Sequence, residues 1–142
     1  MADFIASARS NYFSVVDRAA FEAWLDTLPL DVSIITEPDP DVPEEKVGLL
    51  FNEPYGILMN FEDMDGQERD VLKELAPHLA DGETAILMEA GAEKLRYISG
   101  VAIALQRARE EPEGYRMLKV CLSDIYDLAE KAWGGTIRTA EY

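Results

Sequence analysis

The chain predicts an α+β domain: a mostly antiparallel sheet with about three helices packed on it. Three observations carry this. Short apolar runs joined by links of hairpin length recur along the chain, three segments repeat apolar side chains at helical spacing, and 142 residues at 48% hydrophobic content suit one core. Residues 1–142 therefore read as a single domain.

Ser10 to Val16 reads as a strand, because Tyr12, Phe13, Val15 and Val16 are aromatic or β-branched. A helix follows, with Asp17 as N-cap and Val16 able to staple onto Phe21. Phe21, Trp24, Leu25 and Leu28 form its stripe, and Pro29 closes it. Val32 to Thr36, Val47 to Phe51 and Ile57 to Asn60 read as strands. The segment between the first two holds Pro38, Pro40 and Pro43, which remove backbone donors and fix φ, so it is expected as an exposed loop or edge. Asn52 to Gly56 is turn chemistry.

Asp65 with Glu68 forms a capping-box pattern that predicts a helix start, with Val71, Leu72, Leu75 and Leu79 as the inner face. Pro77 should kink or split that helix, and Asp81-Gly82 ends it. Three strands follow at Thr84 to Glu89, Arg96 to Gln106 and Tyr115 to Leu122, the last two joined by a hairpin loop with Pro112 and Gly114. In the second, Val101, Ile103 and Leu105 share one face and Gly100, Ala102 and Ala104 the other. In the third, Leu118, Val120 and Leu122 are the apolar face. Ser123 caps a last helix expected to turn Ile125, Leu128, Ala129 and Ala132 inward and to stop at Gly134-Gly135. The tail from Thr136 either pairs as an edge strand or frays. The expected core comprises Phe21, Trp24, Leu25, Leu72, Leu75, Val101, Ile103, Leu118, Val120 and Leu128.

Charge is unevenly placed. Residues 31–70 hold twelve acids against Lys46 and Arg69, a net of −10 out of the chain's −15. Such a balance speaks to association and solubility, and it disfavours direct binding of nucleic acid or phosphate. No glycine pattern forms a phosphate cradle. No segment reads as a signal peptide or a membrane span, and one cysteine excludes an internal disulfide, so a soluble cytoplasmic protein is expected.

Catalysis would need a nucleophile, a base and an orienting group. The one histidine, His78, lies one turn after Glu74 and reads as a helix residue loosely paired with it. Cys121 alternates with Met117 and Lys119 and reads as a small packing residue. The acidic runs Asp39, Asp41, Glu44, Glu45 and Glu62, Asp63, Asp65, Glu68 could offer oxygen ligands, but neither fits a calcium loop. The expectation is no enzyme, no cofactor and no metal.

Those two runs are the candidate partner-binding residues. A 142-residue globule is roughly 37 Å across, and duplex DNA of that length presents about 22 phosphates. Ten net charges on one face match half a duplex surface, enough to occupy a basic groove in place of DNA.

Ser7 to Phe13 with Asp17 to Trp24, Met88 to Gly100, and Leu122 to Trp133 resemble an uncharacterised family of small acidic bacterial proteins carried on phages, plasmids and integrative elements. The resemblance implies an accessory protein of mobile DNA, where acidic anti-restriction and anti-CRISPR proteins are common, and supplies no catalytic residues. The resulting expectation is a non-enzymatic binder of a basic protein surface, in its sharp form a DNA-mimic inhibitor of a host defence protein. Immunity to a basic toxin, and a homodimer using a sheet edge, are the alternatives.

Overall fold

The computed structural model describes residues 4–37, 41, 46–52, 56, 60–93 and 97–138. Among the described residues, eight strands occur, β1 (Phe4–Ser10), β2 (Val32–Glu37), β3 (Lys46–Phe51), β4 (Asn60–Glu62), β5 (Glu68–Asp70), β6 (Thr84–Glu93), β7 (Tyr97–Arg107) and β8 (Tyr115–Cys121), with helices α1 (Arg18–Leu25), α2 (Val71–Leu75) and α3 (Asp124–Trp133). Six strands form one antiparallel sheet in the order β2-β3-β1-β6-β7-β8, and β4 pairs with β5 in a separate hairpin. The α+β class stands.

The first strand is displaced from its expected place. Ser10 ends β1, and beyond it Phe13 and Val15 make only isolated bridges, to Val47 and Leu79. Aromatic and β-branched enrichment marked a crossing segment that drives Phe13 fully into the core. The strand itself turns the small Ala6, Ala8 and Ser10 inward, which gives little hydrophobic signal.

Helix α1 forms where expected but ends at Leu25, so Leu28 is buried just beyond it and not on its helical stripe. The Asp17 carboxylate accepts the Ala20 N–H at 3.1 Å, and Phe21 and Leu25 are buried with Trp24 packed beside them. Helix α2 starts later than expected, capped by Asp70, whose Oδ1 accepts the N–H groups of Leu72 and Lys73. The Asp65–Glu68 pattern belongs to the hairpin turn instead. There Asp63 Oδ1 accepts from Asp65 and Gln67, and Gly66 takes φ +78°, a conformation that suits a tight turn and not a helix start. Pro77 converts the end of α2 into a 3-10 turn over Ala76–His78.

Helices α1 and α2 cover one face of the sheet. Phe13, Phe21, Leu25, Leu72, Leu75, Leu79, Leu87, Ile103 and Leu105 are among the residues buried there. Three expected core residues lie elsewhere. Register places Leu118 beside Ala104 and Val120 beside Ala102, on the other face, where they are 75% and 60% exposed. Leu128 is 60% exposed, and α3 buries no residue at all, so its expected inward face looks outward. Amphipathicity identifies the apolar side of an element, and it is silent on whether anything covers that side. Ser123 stands at the N-cap of α3 without a side-chain bond, while Asp124 Oδ2 accepts the Cys121 N–H. Gly134, at φ +78°, ends the helix.

Candidate functional site

The β4–β5 hairpin positions the described acids of the second run. Its register sets Glu62 directly opposite Glu68, with Asn60 against Asp70 and Phe61 against Arg69. Glu62, Asp65 and Glu68 are exposed, and Met64 beside them is fully exposed at the turn. Asp63 is half-buried and committed to the turn through its two backbone hydrogen bonds, so it shapes the hairpin while the other three present charge. Of the first run, Asp41 is exposed in a turn between β2 and β3, and Asp39, Glu44 and Glu45 lie outside the described residues.

Arg69 is the single cation of the hairpin sequence, and it faces the body of the protein. Its guanidinium donates to both carboxylate oxygens of Glu74 and, through Nη2, to Thr27 Oγ1 at 3.0 Å, while lying 5.0 Å from the centre of the Phe61 ring. Trp24 Nε1 adds a hydrogen bond to Glu74 Oε1 at 3.0 Å. The hydrogen bonds from Arg69, and secondarily the one from Trp24, hold the Glu74 carboxyl below its usual range. The hairpin is thereby fastened to α1 and α2 at its inner end.

A groove of about 720 Å³ runs along this junction, lined by Asn60, Phe61, Glu62, Glu68, Arg69, Asp70, Lys73 and Glu74. Asn60 and Asp70 also border a smaller cavity of about 310 Å³, where Leu72 of α2 meets Leu87, Glu89, Ile103, Tyr115 and Lys119 of the sheet. Burial raises the Tyr115 hydroxyl above its ordinary value, reinforced by Asp70 and Glu113.

The two side chains weighed for catalysis sit in other surroundings. His78 stacks on Trp24 with ring centres 5.2 Å apart and meets Phe21 edge-on, and this burial lowers its pKa. Glu74 is engaged by Arg69 and Trp24, which replaces the expected Glu74–His78 pairing. Cys121 is half-buried opposite Val101 at the β8 edge. Among the described residues, no group of three or more His, Cys, Asp or Glu side chains converges as a metal site, and no helix is long and apolar enough to cross a membrane.

The Arg69–Glu74–Trp24–Thr27 junction escaped sequence reasoning, since Trp24 and Glu74 are fifty residues apart. The one available signal was Arg69 itself, an isolated cation within an acidic block. Comparison with protein-family models, with curated proteins and with solved structures finds no match.

Proposed function

We propose that this chain is a non-enzymatic binding protein whose β4–β5 hairpin engages a basic protein surface, with Glu62, Asp65 and Glu68 as contact acids. Its partner in this reading is a nucleic-acid-binding protein of the host, such as a DNA-acting defence protein, whose cationic groove the hairpin occupies in place of a phosphate backbone. The cytoplasm is the compartment, and the partner is engaged without a cofactor.

One observation carries the reading: Glu62 and Glu68 are held directly across from each other while the hairpin's own cation is turned away toward Glu74. Like charges in directly opposed positions of a ribbon are destabilising. A cationic partner relieves that repulsion, and an exposed acidic ribbon also steers encounter with it.

The test is affinity capture from the host followed by association kinetics with the captured protein across a salt series. Replacing Glu62, Asp65 and Glu68 with Lys should slow association by roughly tenfold or more at low salt, with the difference shrinking as salt rises. Replacing Glu110, Glu111 and Glu113, acids of the β7–β8 link, with Lys is the matched control. Duplex DNA should compete for the same partner. Equal effects of the two triple variants, or an unchanged association rate in the first, would refute the reading.

A further inference from the structure

We infer that the uncovered face of the main sheet and the apolar stripe of α3 are two halves of one interface, filled by a second copy of this chain. Register places alternate residues of four strands on this face: Ile5 to Arg9, Thr84 to Ala92, Ile98 to Gln106 and Arg116 to Val120. None of those positions is Asp or Glu, although the chain has 28 acids in 142 residues. Ile5, Met88, Ile98, Leu118, Val120 and, just past β8, Leu122 are instead 44% to 75% exposed.

Helix α3 supplies the matching half. Ile125 and Leu128 lie on one side of it, 61% and 60% exposed, and Trp133 is 85% exposed at its end. Its own chain partly covers Asp124, Tyr126, Ala129 and Glu130, which leaves the large apolar side chains of the stripe, Ile125 and Leu128, exposed. The turn into α3 is pinned by hydrogen bonds from the Leu122 N–H to Gly100 O, from the Ile125 N–H to Leu122 O and from the Cys121 N–H to Asp124 Oδ2. That geometry presents the stripe outward.

Dimensions and charge identify the occupant. On the sheet, Ile86 and Met88 of β6 and Leu118 and Val120 of β8 flank the low row of Ala102 and Ala104, two strand spacings or about 9.6 Å apart, close to the width of a helix. At roughly 100 Å² for each large exposed side chain, the two halves expose about 1,000 Å² per copy, so a pair would bury about 2,000 Å², the size of a stable interface. Two chains of net charge −15 repel each other, and the part of this face formed by β1, β6, β7 and β8, which carries Arg9 and Arg116 and no acid, is where they can approach; the one acid that register adds to the face, Glu37, lies at its far edge on β2 beside Lys46. Helix α3 brings Asp124, Asp127 and Glu130 against one Lys131, the opposite sign to the sheet face. A two-fold axis that lays each α3 on the partner's sheet satisfies both halves twice.

Analytical ultracentrifugation of the full chain, from submicromolar to submillimolar concentration, should give a species of twice the 15.9 kDa chain mass. Leu118→Asp and, separately, Leu128→Asp should each raise the dissociation constant roughly 30-fold or more, the effect of losing an interface hot spot. Both side chains face solvent in a single copy, so circular dichroism should be unchanged, and Met64→Asp at the hairpin turn should leave the dimer intact. In a Cys121→Ser background, Ala102→Cys with Leu128→Cys should oxidise to a covalent dimer. A wild-type monomer throughout, a dimer indifferent to Leu118→Asp and Leu128→Asp, a bridge closed within one chain, or no bridge at all would each overturn the inference. Hairpin variants at Glu62 and Glu68 should dimerise normally, which separates this interface from the proposed acidic one.

Discussion

Ser10→Ala is the sharpest probe of how the sheet is held together. Ser10 is fully buried where β1 leaves β3, directly after the pairings Ala8 to Phe51 and Arg9 to Leu50. Its hydroxyl accepts the Leu49 N–H at 2.7 Å and donates to Asn11 O at 2.7 Å. Alanine removes one oxygen and opens almost no cavity, so the cost is that of a stranded N–H and a weakened carbonyl, about 1–3 kcal/mol. Near the middle of that range, a domain of this length should lose roughly 6 °C of Tm. Urea unfolding should show a lower midpoint with an unchanged slope, because no additional surface is exposed. Ser7→Ala, on the exposed face of the same strand, is the control and should stay within about 0.5 kcal/mol of wild type. A Ser10→Ala loss as small as the control's would refute the claim that this hydroxyl replaces a ladder bond.

Leu25→Ala removes a buried side chain from the α1 stripe and should cost about 2–5 kcal/mol in the same unfolding assay. Glu74→Gln should destabilise by about 1–2 kcal/mol at neutral pH, through weaker bonds to Arg69 and Trp24. Because the folded carboxyl is held low, that stability is present above the usual carboxylate range and lost as pH falls through the folded pKa, so the two proteins should converge in acid. His78→Phe tests the opposite end of the same cluster. Its folded pKa is depressed by burial, with Asp17 working against the shift, so the unfolded chain takes up a proton first as pH falls below about 6.5. Wild-type stability should therefore decline through that window, and the phenylalanine variant should show a flatter profile between pH 7 and pH 5.

What the sequence made legible, and what it concealed, divides along physical lines. Helix α1 was readable because cap and stripe agree from Asp17 to Leu25, although it stops three residues before Leu28 and four before Pro29. The start of α2 was misplaced because Asp65 and Asp70 both offer capping side chains, and only the hairpin pairing of Glu62 with Glu68 decides between them. Strand β8 and helix α3 form where their patterns predict, yet their apolar sides face outward and not into the core. Leu118, Val120 and Leu128 carry the same local pattern whether a neighbour covers them or not. At the candidate site, the acids of the hairpin were visible by composition. The division of labour among them was not, since it depends on Asp63 turning back to its own backbone and Arg69 turning to Glu74.

Strand order has a consequence for how the chain is made. Strand β1 is central, between β3 and β6, and its long pairing runs from Phe4 with Glu93 to Ser10 with Leu87. During synthesis that pairing is unavailable until some ninety residues have followed, which at about 5–20 residues per second leaves the first strand waiting for several seconds or more. Strands β6, β7 and β8, by contrast, are consecutive neighbours joined by short links and can zip locally. A waiting strand that was strongly apolar would invite aggregation. The small Ala6, Ala8 and Ser10, which made β1 hard to recognise, also keep its inner side weakly adhesive until its partners arrive.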